Sequence, residues 1–204
     1  MDKALLEQRF PKKLLLGGEE VEFRLMVRED EDLLLEFFQR VPLEDRRLLK
    51  DDVLNSRTIK NWCENINFRR VIPLLAIQEG RIVGNATLHR ELGWKSHVAH
   101  IRVLRDPEVR KLKIGRALVR ELIDLASSLN ISLVDAEVMA EQSRAIRLFE
   151  SLDFVAIATL PQHGLDLVGK AHDIVIFSHE VFPPSECAVD RDTKIEDVDL
   201  GGSG

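Results

Sequence analysis

The segment 103–118, with the sequence VLRDPEVRKLKIGRAL, constrains the fold of this chain more than any other part of it. It begins in an apolar strand, passes a turn at Pro107 and enters an amphipathic helix through a cationic loop. Four cationic side chains lie within seven residues: Arg110, Lys111, Lys113 and Arg116. The first amides of a helix lack intrahelical acceptors and the helix dipole adds positive charge, so this order of elements forms an anion site. It predicts a bound polyphosphate; the alternative is a solvated basic turn before an ordinary surface helix.

The composition indicates one globular domain. The chain has 204 residues, of which 45% are hydrophobic, and this is enough for a single core. A net charge of −6 argues against nucleic acid as a partner, because nucleic-acid-binding proteins usually carry a basic face. The sequence has no bilayer-length apolar run, signal peptide or lipidation motif, which predicts a cytoplasmic protein with no membrane contact. Two cysteines and six histidines without ligand spacing predict no metal site.

Hydrophobic periodicity predicts alternating strands and helices. Strands are expected at 21–27, 73–77, 81–89, 97–105, 132–139, 154–160 and 172–181, helices at 29–40, 114–129 and 142–152, a helical region at 42–67, and a Gly-rich loop at 161–170. Antiparallel hairpins precede strand–helix units, so we expect an α/β fold with a mixed, mostly antiparallel sheet and flanking helices. Residues 1–20 are expected to form an N-terminal extension, 21–182 the domain, and 183–204 a poorly ordered acidic tail with a linker-like end.

From residue 21 to about 181, the order of elements and the basic loop resemble the GNAT N-acetyltransferase superfamily. The cofactor motif of that family is Gln/Arg-x-x-Gly-x-Gly/Ala. Arg110, Ile114 and Gly115 stand as this motif expects, whereas Lys113 replaces its first glycine. A second family pattern, Glu-Val-x-x-x-Asn-x-x-Ala-Ile-x-Leu-Tyr-Glu-x-Leu-Gly-Phe, is met over residues 137–154. In that pattern Gln142, Phe149 and Asp153 replace the asparagine, the tyrosine and the glycine.

The resemblance implies acetyl-CoA as the acyl donor. In such proteins the pyrophosphate binds the backbone amides of the loop, which here are those of Lys111, Leu112, Lys113, Ile114, Gly115 and Arg116. The pantetheine arm pairs with the end of the preceding strand, here Val103, Leu104 and Arg105. Arg110, Gln142 and Phe149 complete the implied cofactor-binding set, with Phe149 packing near the thioester. Lysine at position 113 is compatible with this site unless the position requires a positive φ.

Glu137 is the predicted catalytic base. Residues 137–154 resemble the ribosomal-protein N-terminal acetyltransferases, in which a glutamate at the matching position is the base. Asp135 lies on the same strand face, and two neighbouring carboxylates are expected to raise one pKa, which favours proton abstraction at neutral pH. The alternative is that Glu137 is a cap or a salt-bridge partner across the sheet.

The usual general acid is missing, because Phe149 replaces the family's tyrosine and the chain contains no tyrosine at all. Water, His100 or His172 are candidate substitutes, although a structural role is favoured for both histidines. A CoA thiolate is a tolerable leaving group, with a thiol pKa near about 8.5, so loss of the acid need not abolish transfer.

These observations predict an N-acetyltransferase that moves an acetyl group directly to a primary amine, which is a protein lysine, a protein N-terminus or a small amine. Two alternatives stay open: a non-catalytic acetyl-CoA sensor, favoured by the departures from the motifs, and a transferase for another acyl-CoA. The acceptor is expected to enter over residues 29–67 and 161–172. Glu31, Asp32 or Asp51 in that cleft would favour a cationic amine. A monomer or a homodimer is expected.

Overall fold

A computed structural model describes residues 2–46 and 48–187. Eight strands form one sheet: β1 (Lys12–Leu16), β2 (Glu19–Leu25), β3 (Val71–Gln78), β4 (Arg81–Arg90), β5 (Val98–Arg105), β6 (Leu133–Met139), β7 (Val155–Leu165) and β8 (Ala171–Glu180). Six α-helices flank it within the described residues: α1 (Asp2–Arg9), α2 (Glu31–Arg40), α3 (Leu43–Arg46), α4 (Ser56–Glu64), α5 (Ile114–Ser128) and α6 (Ser143–Glu150). The strand order is β1-β2-β3-β4-β5-β6-β8-β7. Only the β5–β6 pair among them is parallel, which confirms the predicted mixed, mostly antiparallel α/β fold.

The sheet lies between two helical layers. On one face α5 buries Leu118, Leu122 and Leu125 against a core that also contains Phe149 of α6. On the other face α2 and α4 pack on alternate residues of the same strands, with Leu34, Phe37 and Ile59 completely buried. Residues 72–76 of β3 are buried throughout, because this central strand is covered on both sides.

Three sequence predictions need correction. The helical region 42–67 is divided into α3 and α4, and α4 is capped at its N-terminus by Asn55, whose side chain accepts a hydrogen bond from the amide of Arg57 at 3.0 Å. The loop predicted at 161–170 is shorter, because β7 and β8 continue as a bulged hairpin whose strands end at Leu165 and begin at Ala171. Strand β1 was not predicted, since it is an edge strand without a fully buried residue and gives a weak periodic signal.

The N-terminal residues are tied to the rest of the sheet. β1 pairs with β2, and Leu6 and Phe10 enter the main core. The buried carboxylate of Glu121 in α5 accepts hydrogen bonds from Arg9 and Lys12, each at 2.7 Å. Much of the segment predicted as an N-terminal extension therefore contributes to the sheet and the core. At the other end a 3₁₀ turn spans Pro184–Glu186, and the remainder of the predicted tail lies outside the described residues.

No helix within residues 2–46 and 48–187 is long and apolar enough to cross a membrane.

Candidate functional site

The predicted phosphate loop joins β5 to α5. The side chain of Asp106 accepts a hydrogen bond from the amide of Glu108 at 2.9 Å and starts a 3₁₀ turn, Pro107–Leu112. The first hydrogen bond of α5 runs from the amide of Ala117 to the carbonyl of Lys113, at 3.1 Å. The amides of the residues before Ala117 therefore point out of the helix end, where the helix dipole is positive. This is the arrangement required for an anion.

A buried ion pair fixes this loop to the rest of the fold. Asp106 is 1% exposed, and its carboxylate accepts a hydrogen bond from the guanidinium of Arg40 at 2.6 Å. Arg40 also donates to the backbone carbonyl of Ile82 at 2.6 Å. The end of α2, the start of β4 and the beginning of the loop are thus held together by one guanidinium.

Lys113 has a left-handed backbone conformation, with φ +53° and ψ +32°. Position 113 therefore has the positive φ that disfavours lysine. A residue with a Cβ pays roughly 1–2 kcal/mol for this conformation. Asp153, which replaces the glycine of the second family pattern, has φ +63°. Both replaced glycines therefore occupy positions where glycine is the unstrained residue. The loop keeps its turn nonetheless, and the Lys113 side chain is exposed.

The other predicted loop residues have different environments. Arg110 and Lys111 lie in the 3₁₀ turn, Leu112 packs against the main core and Ile114 is completely buried. A Cβ built on Gly115 would meet only Leu148 at 3.6 Å and Val103 at 3.9 Å, so the position has room for the alanine that the motif also allows. The Arg116 guanidinium donates to the hydroxyl of Ser151 at 2.7 Å, which directs it towards α6.

A cleft opens between β5 and β6. Their pairing covers three positions, the last of which is His100 with Asp135. Beyond that point β5 continues to pair with β4 as far as Arg105, and β6 continues with β8 as far as Met139. The edge of β5 that carries Val103, Leu104 and Arg105 therefore faces the cleft and leads directly to the anion site. This edge of β5 and the amides at the start of α5 are the two segments that the family resemblance assigns to the pantetheine arm and the pyrophosphate of acetyl-CoA.

Glu137 lies on β6 immediately after the β5–β6 pairing ends. Its Oε2 accepts a hydrogen bond from Lys50 Nζ at 2.5 Å, and 35% of the Glu137 side chain is exposed. This hydrogen bond, more than any other influence, lowers the Glu137 pKa; the positive charges of Lys50, His100 and Arg102 act in the same direction, against desolvation. The predicted upward shift by Asp135 is wrong. The Asp135 carboxylate instead accepts a hydrogen bond from the Ser178 hydroxyl at 2.6 Å.

The salt-bridge alternative for Glu137 is therefore observed, although its partner comes from the connection between α3 and α4 and not from the sheet. Lys50 is 87 residues away in sequence, in a stretch with charged residues of both signs. Nothing in the sequence indicated this contact. With this ion pair formed, the Glu137 side chain still lies in the cleft, close to the end of the β5–β6 pairing.

A cavity of about 500 Å³ lies between α4 and the sheet. One part of its lining is apolar: Met26, Phe38, Leu49, Val53, Trp62 and Ile66. The part nearer the cleft is polar and includes Lys50, Asp51, Asn85, Thr87, His89 and Arg102. A smaller opening shares Lys50, His89 and Arg102 with the cavity and reaches Glu137. Of the three acidic side chains considered for the acceptor cleft, Asp51 lines this cavity, and Glu31 and Asp32 are not part of its lining.

His89 is one of the polar groups of the cavity that the sequence analysis did not predict. Burial, with smaller contributions from Arg102, Lys50 and His100, lowers the pKa of His89 to about 4, so its imidazole is neutral at pH 7. Its Nε2 lies 2.8 Å from the Thr87 hydroxyl. The register of β4 and β5 pairs His89 with His100 and Thr87 with Arg102, which puts all four on one face. Alternation along β4 puts Thr87 and His89 on the same strand face, and this is the sequence signal that could have indicated them.

Phe149 and Gln142, the two cofactor-binding residues predicted on and near α6, make contacts within the fold. Phe149 is 3% exposed and packs edge-on against Phe154 with ring centroids 5.0 Å apart, so it is a core residue. Gln142 Oε1 accepts a hydrogen bond from the amide of Met139 at 3.1 Å and closes the turn between β6 and α6.

The two histidines considered as substitute acids have ionic partners. His100 Nε2 lies 3.2 Å from Glu91. His172 lies between Glu141, 2.9 Å from Nδ1, and Asp166, 3.3 Å from Nε2. The hydrogen bond to Glu141, followed by that to Asp166, raises the His172 pKa. These contacts agree with the structural role favoured for both. Within the described part of the chain, no three His, Cys, Asp or Glu side chains are grouped so as to hold a metal ion.

The model of the Acetyltransferase (GNAT) family matches residues 31–154. A ribosomal-protein-S5-alanine acetyltransferase from Vibrio fischeri superposes with a TM-score of 0.70 at 16% identity, covering 78% of this chain and 92% of that one. The structure of yncA from Salmonella typhimurium with its cofactor acetyl-CoA has a TM-score of 0.70 at 19% identity, covering 83% and 98%. A ribosomal-protein-alanine N-acetyltransferase from Brucella melitensis has a TM-score of 0.67 at 25% identity, covering 78% and 98%. No curated protein matches the chain.

Proposed function

Because the chain belongs to the GNAT acetyltransferase family, we propose that it transfers the acetyl group of acetyl-CoA directly to a primary amine. One observation carries the proposal. The Glu137 carboxylate lies where the cleft between β5 and β6 meets the opening of the acceptor cavity. A base between a donor cleft and an acceptor cavity is what a direct transfer needs.

The chain's own groups supply the donor site. The amides at the start of α5 would bind the pyrophosphate, and the edge of β5 at Val103, Leu104 and Arg105 would pair with the pantetheine arm. Acetyl-CoA, when bound, supplies an acetyl thioester that an amine can attack. Arg40 and Asp106 keep the loop in place through their buried ion pair.

The acceptor amine would enter through the cavity and reach Glu137, which takes a proton from it directly or through water. The acceptor's ammonium would replace the Lys50 ammonium at this carboxylate, since both groups have the same charge and hydrogen-bonding capacity. The departing CoA thiolate needs no strong acid, because its thiol pKa is close to about 8.5. Phe149 is consistent with this scheme, as it packs in the core and has no proton to give.

A protein N-terminus is the first acceptor to test. Support comes from the Brucella melitensis ribosomal-protein-alanine N-acetyltransferase, which is 25% identical over 78% of this chain. The cavity of about 500 Å³ would hold the side chain of the residue that carries the amine. A protein lysine and a small amine are the other primary-amine acceptors to test. A longer acyl-CoA is the second donor to test.

A non-catalytic acetyl-CoA-binding module is the second candidate function. The ion pair between Lys50 and Glu137 favours it, because a carboxylate with a lowered pKa and a bound ammonium is a weak base. Both candidates predict acetyl-CoA binding, and they differ in turnover.

Glu137→Gln separates the two. We expect the variant to bind acetyl-CoA as the unaltered protein does, measured by the thermal shift, and to lose about 10²–10⁴-fold in turnover of peptides with free N-termini. Asp135→Asn is the matched control, since it changes a carboxylate on the same strand face that bonds to Ser178. If the unaltered protein binds acetyl-CoA and acetylates no peptide or small amine, the binding module is the correct function. A larger thermal shift with a longer acyl-CoA would change the donor.

A further inference from the structure

We propose that Lys50 is itself an acceptor of this site, so that the chain acetylates its own Lys50 Nζ. The inference rests on the proposed function, because it uses the same donor and the same base. It differs from that function in naming a modification site within the chain.

The position of the Lys50 ammonium carries the inference. Nζ lies 2.5 Å from Glu137 Oε2, which is the hydrogen-bonding distance that an acceptor amine would have to reach. Lys50 lines both the acceptor cavity and the opening to Glu137, and half of its side chain is exposed. It therefore already occupies the place that the mechanism assigns to the acceptor amine.

The other lysines with described ion pairs lie elsewhere. Lys12 pairs with Glu121, Lys13 with Glu20 and Lys3 with Glu7, at the N-terminal end of the chain. Among the ion pairs of the described residues, Lys50 is the one lysine that meets Glu137. Selective modification at Lys50 is therefore expected from geometry and not from general lysine reactivity.

The transfer conserves atoms and electrons without a further reagent. The Lys50 ammonium gives one proton to the Glu137 carboxylate, and the freed lone pair of Nζ attacks the carbonyl carbon of the acetyl thioester. The new N–C bond forms as the C–S bond breaks, and sulfur leaves with that electron pair as CoA thiolate. The amide nitrogen loses its second proton to solvent, and the thiolate takes up a proton according to the pH.

The product changes the site. An acetylated Lys50 has an uncharged amide in place of the ammonium, so the ion pair with Glu137 is lost and the carboxylate is released to an external amine. Because the modified side chain is not regenerated by the reaction, the event occurs once for each chain. Self-acetylation would thus convert the closed, ion-paired site into an open one.

Peptide mapping of the intact, purified chain tests the proposal. The protein is incubated with trideuteroacetyl-CoA, so that new acetyl groups differ in mass from any acquired during expression, and is then digested with trypsin. Trypsin does not cleave after an acetylated lysine, so the modified product is the peptide 48–57, LLKDDVLNSR, heavier by one labelled acetyl group. Lys60, exposed on α4, is the reference for ordinary chemical acetylation.

We expect labelling of Lys50 to exceed that of Lys60 at least tenfold, with a first-order rate that does not change with protein concentration. Glu137→Gln should reduce the rate at Lys50 to that at Lys60, and Asp135→Asn should not. Equal labelling of Lys50 and Lys60, or labelling of Lys50 that is unaffected by Glu137→Gln, would overturn the proposal.

An external N-terminal peptide in the same reaction distinguishes the two levels of failure. If this peptide is acetylated and Lys50 is labelled no faster than Lys60, self-acetylation is wrong and the proposed transferase function stands. If acetyl-CoA binds and neither Lys50 nor the peptide is acetylated, both self-acetylation and the proposed transferase function are wrong.

Discussion

The guanidinium of Arg40, in the last turn of α2, lies 2.6 Å from the carboxylate of Asp106, which is 1% exposed at the start of the phosphate loop. The two residues are 66 positions apart in sequence. The contact therefore couples the helical layer on the acceptor side of the sheet to the loop that would bind the donor. Its removal should affect both stability and donor binding.

Arg40→Ala should lower the free energy of unfolding by about 3–5 kcal/mol, because it leaves the buried Asp106 carboxylate without its cationic partner. Denaturant unfolding measures this loss, and the thermal shift with acetyl-CoA should shrink. Arg81→Ala is the matched control: Arg81 pairs with Glu108 of the same turn at 3.3 Å, but both side chains are more than half exposed. That surface pair should contribute less than about 1 kcal/mol. Equal losses in the two variants would contradict the role of burial.

Gly84→Ala should disturb the start of α5. A Cβ at this position would lie 2.6 Å from Ile114 Cγ2 and 2.8 Å from Leu118 Cδ1, both completely buried. We expect a loss of about 1–3 kcal/mol in denaturant unfolding, as for other overpacked cores. Gly115→Ala should leave stability unchanged or slightly higher, because its Cβ would meet nothing closer than 3.6 Å. A stable Gly84→Ala variant would mean that α5 moves away at little cost.

The order of elements could be predicted from the sequence because each strand and helix is specified by its own residues. Alternating or continuous apolar residues between turn signals marked seven of the eight strands in the described part of the chain, and the 3.6-residue period marked α2, α5 and α6. The basic segment before α5 indicated the anion site for the same reason, since the strand end, the turn and the helix start are contiguous in the chain.

The electrostatics of the site could not be predicted, because they depend on contacts between distant residues. Glu137 and Asp135 share a strand face as expected, but the partner that decides the Glu137 pKa is Lys50, in an irregular connection before α4. The family motif has glycine where this chain has Lys113, but the left-handed φ of that residue follows only from the backbone geometry. The short β5–β6 pairing likewise follows from register and not from either strand alone.

Lys113→Gly should stabilise the protein by about 1 kcal/mol, because glycine removes the cost of a Cβ at φ +53°. Lys113→Ala removes the same charge but keeps the Cβ, and so it should not be stabilised. Thermal unfolding of the two variants measures the difference. Asp153→Gly, at φ +63°, should gain less than Lys113→Gly, since aspartate tolerates this conformation better than lysine. Equal stability of Lys113→Gly and Lys113→Ala would show that the strain is absent.

His172 should stabilise the β7–β8 hairpin at acidic pH and not at basic pH. The Glu141 hydrogen bond, with that of Asp166, raises the His172 pKa in the folded state. A raised folded pKa contributes stability fully below the unfolded value near 6.5 and loses it as the pH rises through the folded value. The difference in melting temperature between the unaltered protein and His172→Gln should therefore shrink from pH 6 to pH 9. His163→Gln, on the same hairpin and exposed, is the matched control for removal of a histidine side chain.

Lys50→Met should shift the pH dependence of transfer to external amines. The Lys50 hydrogen bond is the largest of the influences that lower the Glu137 pKa, so its loss raises that pKa. If Glu137 must be ionised to accept a proton, the acid limb of kcat/KM follows its pKa in the free enzyme and should move to higher pH in the variant. Lys60→Met, which removes an exposed lysine of α4, should leave the limb in place. An acid limb that is the same in Lys50→Met as in unaltered protein, whose Lys50 is shown by peptide mapping to be unacetylated after the assay, would mean that another group accepts the proton.

Lys50→Met should also change how the stability of the fold depends on pH, and the variant should be the less acid-sensitive of the two proteins. A carboxylate with a lowered folded pKa contributes stability above its unfolded value, near 4.5, and loses it as the pH falls through the folded value. The unaltered protein should therefore lose more stability than Lys50→Met between pH 6 and pH 3, because only the former has an ion pair to lose. Thermal unfolding across this range measures the difference, which should be small since 50% of the Lys50 side chain and 35% of the Glu137 side chain are exposed. A shift of the kinetic limb without this change in acid stability would separate catalysis from the ion pair and assign the limb to a group other than Glu137.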